Sequence, residues 1–184
     1  MTGIVNSTGA RSGVIGTTDL ATATFPAGHI LQVVGATDAT QRIVNYTGSL
    51  DVSVNTVLGV SKAITSTSAN SNFFISGSIP VYTVNGKMGV GITESTQNIS
   101  GLIYNPSVAD NTGTDDGWLG VGLEAGYRGV IDLSFFYDPG TASASTTYTF
   151  FLIAMGYYDG GSVTTNATMT QSASSSITIM EIQG

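Results

Sequence analysis

The sequence predicts an all-β protein whose strands pack as the two sheets of a sandwich or jelly roll. Three observations predict it. No segment sustains an apolar period of 3.6 residues, while several alternate at period two. Turn chemistry recurs between these segments: the chain has 24 glycines in 184 residues and turn signals such as Asn85-Gly86 and Asp138-Pro139-Gly140. The third is the run Thr146–Tyr158, TTYTFFLIAMGYY. At period two, Tyr148, Phe150, Leu152 and Ala154 point one way, and Phe151, Ile153 and Met155 the other. A strand with one wet face alternates apolar and polar residues, but here both faces are apolar from Phe150 onward. One face fills the core. The second needs a cover, either a strand or loop of the same chain or another copy, and the reading adopted is a contact between subunits. Fully burying a Phe or Leu is worth roughly 1.5–3 kcal/mol, so leaving several in water is costly.

Residues 1–26 stand apart as an N-terminal arm. Gly3, Gly9, Gly13 and Gly16 interrupt the apolar pairs Ile4-Val5 and Val14-Ile15, and Pro26 closes the segment. No helix survives these breaks. A frayed tail is the plainer reading; the preferred one is an extended arm that docks its Ile/Val pairs on a neighbouring subunit.

Residues 27–184 form the sandwich domain. The first strands are expected at His29–Val34 and Ile43–Tyr46. Leu50, Val52 and Val54 alternate with Asp51 and Ser53, and a strand pattern continues over Val57–Ile64. Asn72–Val84 is apolar and β-branched, with Pro80 inside it, which predicts an edge strand or a bulge. Asn85-Gly86 then predicts a type I′ hairpin joining Val81–Val84 to Lys87–Ile92. Ile99–Tyr104, Trp118–Leu123 and Tyr127–Tyr137 follow. In the last, Ile131, Leu133, Phe135 and Tyr137 share a face opposite Asp132 and Ser134, and Asp138-Pro139-Gly140 turns the chain. After Thr146–Tyr158, Asp159-Gly160-Gly161 turns it again and Ser162–Thr170 is expected to pair back. The closing strand has Ile177 and Ile179 on one face and Met180 and Ile182 on the other.

Composition narrows the function classes. The net charge is −7, with five basic residues and only 9% charged residues, which leaves no footprint for nucleic acid or an anionic membrane. There is no cysteine, so disulfides and thiolate metal sites are excluded. The first residues show no apolar core of signal-peptide length and no stretch has the length of a membrane span, so the expectation is synthesis in a cytoplasm.

Two stretches carry a family resemblance. YDPGTASASTTYTFFLIA (137–154) together with the ending SSSITIMEIQG (174–184) resembles small structural proteins and fibre domains of marine tailed phages, and GIVNSTGARSGVIGTT (3–18) followed by GHILQVV (28–34) is similar to their N-terminal segment. The match covers both ends, and the middle only by strand rhythm. Where the family pattern has an Arg-Asp-Gly-like hairpin, this chain has Asn85-Gly86-Lys87. The resemblance implies a jelly roll like the heads of the C1q and tumour necrosis factor group, assembly as a homotrimer, and a place in the virion after assembly in the host bacterial cytoplasm. The partners it implies are the protein itself and other virion proteins, either the major capsid protein or tail and fibre proteins.

Catalytic signals are sparse. His29 is the only histidine, which rules out a multi-histidine metal site, and there is no G-x-S-x-G elbow. Asp110, Asp115 and Asp116 fall in one Gly/Thr loop and, with Glu124, read as solvated acids; N-T-G-T-D-D-G lacks the EF-hand register. No cofactor or metal is expected. Trp118, Tyr127, Tyr157 and Tyr158 read as core or interface aromatics, with sugar stacking as the alternative. Glu181 shares a face with Ile177 and Ile179, where an unpaired carboxylate is costly; it is expected at the rim, or paired with Arg42, Arg128 or another basic residue, including one across a subunit boundary.

The sequence therefore predicts a non-enzymatic virion protein, a trimeric capsid decoration or cement protein. The alternative is a tail-fibre or receptor-binding tip touching a host surface glycan, and a glycan-active enzyme is the weakest. The residues assigned to core or trimer contact are Phe150, Phe151, Leu152, Ile153, Met155, Ile177, Ile179, Met180 and Ile182. Those assigned to arm docking are Ile4, Val5, Val14 and Ile15. Surface recognition falls to Asp110, Asp115, Asp116, Trp118, Tyr157 and Tyr158.

Overall fold

A computed structural model describes residues 27–46, 56–83, 87–97, 101–104, 128–140, 144–157, 161–165 and 173–184. Among these residues ten strands form in order: β1 (Ile30–Asp38), β2 (Arg42–Tyr46), β3 (Thr56–Thr65), β4 (Ser71–Thr83), β5 (Lys87–Glu94), β6 (Leu102–Tyr104), β7 (Arg128–Tyr137), β8 (Thr147–Tyr157), β9 (Gly161–Thr165) and β10 (Ser175–Gln183). No α-helix occurs among the described residues. The arm, and the strands expected at Leu50–Val54 and Trp118–Leu123, lie outside them.

Two antiparallel sheets result. Sheet A runs β1-β10-β4-β9-β2, with β7 on the other side of β4; sheet B runs β3-β8-β5-β6. With β2 and β9 set aside, the other eight strands pair first with last (β1·β10), second with seventh (β3·β8), third with sixth (β4·β7) and fourth with fifth (β5·β6). That nesting is one long ribbon rolled into two facing sheets, the jelly roll expected from the sequence. β2 and β9 form an added pair, and β9 also joins the end of β4.

The sheets meet along one row of inward residues per strand. β4 contributes Phe73, Ile75, Ile79 and Val81, β8 contributes Tyr148, Phe150, Leu152 and Ala154, and β10 contributes Ile177 and Ile179, all in one buried cluster. Phe73, Tyr137, Tyr148 and Phe150 gather at one end, with ring centroids 4.9–6.4 Å apart. Burial, and then the Glu94 carboxylate, push the Tyr137 and Tyr148 phenols up. Gly77 makes room in this layer: a Cβ there would lie 2.3 Å from the Ser176 carbonyl and 2.5 Å from Leu152 Cδ1. Gly59 sits at the bulge in β3, where a Cβ would meet Ile79 at 2.6 Å.

The alternation read for β7 holds, with Ile131, Leu133, Phe135 and Tyr137 turned inward and Asp132 and Ser134 exposed. The turn after it holds too: Gly140 adopts φ +73°, and its N–H donates to Asp138 Oδ1 at 2.7 Å. Other expectations need correction. Pro80 is on neither an edge nor a bulge. It lies in a central strand in unbroken register with β7, opposite Val130. On the other flank the partner changes around it, from β10, last at Ser78, to β9, first at Val81, so no ladder partner there needs its missing N–H.

Asn85-Gly86 lies outside the described residues, but the strands it separates are not a hairpin. β4 is in sheet A and β5 pairs with β8 and β6 in sheet B. At Val81 and Tyr82 both flanks of β4 are already filled, by β7 and β9, so no edge is open there to β5. β9 likewise does not pair back on β8; it pairs with β2 and β4. β1 runs on to Asp38, four residues past the apolar pattern, because β10 offers partners as far as Ser175.

Candidate functional site

The outer faces of the two sheets differ, and the difference locates the candidate site. On sheet B, Ile153 of β8 lies opposite Leu58 and Gly91 and is fully buried within one chain. Thr93, opposite Phe151, is also fully buried, and its Oγ1 has no hydrogen-bond partner among the described residues. The second apolar face of β8 is thus covered at Ile153 without a second copy, while Phe151 is half-buried.

On sheet A, cross-strand register assembles what the sequence scatters. Val33 pairs with Met180, Met180 with Phe74, and Phe74 with Phe136. Paired residues share a face, so one apolar row crosses β1, β10, β4 and β7 on the outside of the sandwich. Met180 and Phe74 are half-buried, while Val33 keeps 54% and Phe136 50% of its surface exposed. Ile182, half-buried, pairs with Ile30, itself mostly exposed, and extends the apolar surface toward the start of β1. Covering the open half of such a side chain is worth about 1 kcal/mol, and contiguous apolar surface of this kind marks protein contact sites.

Next along the strands the face turns polar and small. Ser76, Ser78, Asp132, Ser134 and Ser176 surround a shallow cavity of about 430 Å³. Ser78 and Ser176 hydroxyls meet at 3.1 Å. With side chains this short, the apolar row stands as a ridge beside a flat, hydrophilic strip.

The end of β10 that carries this ridge is held from within by Glu181. Its carboxylate is fully buried and forms no ion pair among the described residues. It accepts from Ser71 Oγ; from Gln32 Nε2 and from the Thr67 amide at 2.6 Å; from Thr67 Oγ1 at 3.0 Å; and from the Ser68 amide at 3.4 Å. Rim exposure and pairing with Arg42 or Arg128 are both corrected. Arg42 pairs with Asp38 at 2.7 Å, and Arg128 lies over the Tyr82 ring at 4.2 Å from its centroid. Burial pushes the Glu181 carboxyl up, but the hydrogen bonds from Ser71, Gln32 and Thr67 outweigh it and hold the group below its ordinary value. Hydroxyls and amides were close enough in space to make a cation unnecessary.

Of the residues singled out in the sequence, Phe150, Leu152, Ile177 and Ile179 lie in the core, and Ile153 is buried on the far side of sheet B. Met180 and Ile182 lie on the outer face of sheet A. Met155 and Tyr157 stand in β8 opposite Gly89 and Lys87. Ile4, Val5, Val14, Ile15, Asp110, Asp115, Asp116, Trp118 and Tyr158 are outside the described residues. Val33, Phe74 and Phe136 were missed. Their one signal was Phe136, an aromatic on the outward face that also carries Val130, Asp132 and Ser134. Among the described residues, no three His, Asp or Glu side chains come together as a metal site.

No family model matches the chain, and no curated protein matches it. It is similar in structure to the "Structure of infectious bursal disease virus Gx strain", at TM-score 0.42 and 13% identity over 92% of this chain and 44% of that one. A second similar structure is the "Crystal structure of infectious bursal disease virus VP2 subviral particle", at TM-score 0.36 and 12% identity over 92% of this chain and 45% of that one. The chain spans less than half the length of either. The jelly-roll assignment stands on strand pairing, independently of these likenesses.

Proposed function

We propose that this chain is a non-enzymatic structural protein of a bacteriophage virion, a homotrimeric decoration or cement protein on the capsid with residues 1–26 as its docking arm. The observation that carries the proposal is the apolar row Val33–Met180–Phe74–Phe136, a ridge that one chain leaves open to water. It belongs to a sandwich with 9% charged residues, a surface suited to lasting contact with protein rather than to solvation. The three-fold form and the phage context come from the resemblance of residues 3–34, 137–154 and 174–184.

Two measurements test this. The recombinant full chain is expected to sediment as a trimer of the 18.8 kDa subunit at micromolar concentration. In purified particles, its copy number relative to the major capsid protein is expected to follow the capsid lattice. A monomer in the first, or absence from particles in the second, sinks the proposal. A few copies per particle, together with binding of isolated trimers to host cells, replaces it with a tail-fibre tip.

A further inference from the structure

We infer that the apolar row of sheet A is the seat for the arm of a neighbouring copy, with the Val14-Ile15 pair lying across Val33, Met180, Phe74 and Phe136. This rests on the assembly proposed above and names the partner that its open ridge receives.

The exit point of the arm and its reach support this. The chain enters the fold beside the end of β10, where the Gly28 amide donates to the Gln183 carbonyl at 2.7 Å. It bends at Gly28, whose φ is +86°. From Ala27 back to Ile15, an extended chain spans about 40 Å. A folded unit the size of residues 27–184 is also about 40 Å across. The pair therefore reaches the same face of a copy packed alongside. The chain's own row is only about 20 Å from Ala27 along β1, so seating there leaves half the tether slack.

Chemistry and size fit as well. Residues 1–26 carry only Arg11 and Asp19 as charged side chains, and the row carries none, so no charge is desolvated at the contact. The row crosses three inter-strand gaps, about 14 Å, which an extended segment of four or five residues covers.

The natural absence of cysteine makes the test clean. Val14→Cys and Phe136→Cys are combined in the full chain, oxidised mildly and run on a non-reducing gel beside each single variant, with sedimentation of the same samples before oxidation. Because Phe136 faces outward, the fold is expected to persist; Val14→Cys with Val33→Cys is the second pair should it not. The expected result is a ladder of covalent dimer and trimer in the double variants beyond that of either single variant. Thiols consumed at monomer mass place the arm on its own chain and overturn the inference. Thiols left free in a sedimenting trimer also overturn it, while leaving the assembly reading intact. Free thiols in a monomer defeat both.

Discussion

Phe73 and Phe74 are adjacent in the chain and opposite in fate. Phe73 is fully buried between the sheets, with its ring 4.9 Å from Tyr148 and 5.7 Å from Phe150. Phe74 faces outward in a row whose two ends stay half exposed. The same contrast recurs at Ile179 and Met180 on β10. Period two sends each apolar pair to both faces, so one strand serves two purposes: its inner residues decide whether the chain folds, and its outer residues decide what the folded chain meets. A run of apolar residues in a strand therefore has two energetic meanings that only the register separates.

That contrast can be broken most forcefully from the inside. Phe73→Ala is expected to cost about 3–5 kcal/mol in chemical denaturation, the range for a large aromatic removed from a packed core. Loss of less than about 1 kcal/mol would mean the aromatic cluster is not the centre of stability. Gly77→Ala adds a single methyl against the Ser176 backbone, which has little room to yield, and is expected to cost roughly 1–3 kcal/mol.

Glu181→Gln probes the support beneath the outer ridge. The variant places an amide group among donors that need an acceptor, at a cost of roughly 1–3 kcal/mol near neutral pH. The sign follows from the lowered folded-state value. The carboxylate stabilises the fold above the ordinary value of 4.5, and this contribution is lost as pH falls through the lower folded value. Denaturation midpoints of parent and variant should thus converge in acid below about pH 4.5; a gap that widens there contradicts the assignment. The smallest expected effect on folding is Phe74→Ala, about 1 kcal/mol or less, since its ring is already partly in water. Its effect should fall on sedimentation instead, as a weakening of the proposed trimer with an almost unchanged denaturation midpoint.

Much of the fold was legible because it is local. The alternation of β7 and β10 and the Asp138-Pro139-Gly140 turn follow from side-chain period and backbone preference. The misreadings share one cause. Pro80 and Asn85-Gly86 carry correct local signals, but the meaning of each depended on which strands occupied the flanks of β4, and those partners lie about 50 to 80 residues away. Glu181 was recognised as unusual, yet its answer lay in Ser71, Thr67, Ser68 and Gln32, which sequence distance hides. The candidate site was half legible: Met180 and Ile182 were singled out, while Val33, Phe74 and Phe136 join them only through pairing.

By itself the sequence determined the class of this protein: all-β, poor in charge, free of cysteine, with apolar residues enough for a core and a surplus beyond it. Those properties follow from composition and period, which act over a few residues. Only the tertiary structure decided where the surplus lies. Ile153 is buried within one chain, and Val33 and Phe136 are left open at the ends of a row on the opposite sheet. The physical reason is register, since hydrogen bonds between distant strands choose which side chains become neighbours, and neighbours determine what remains for a partner to cover.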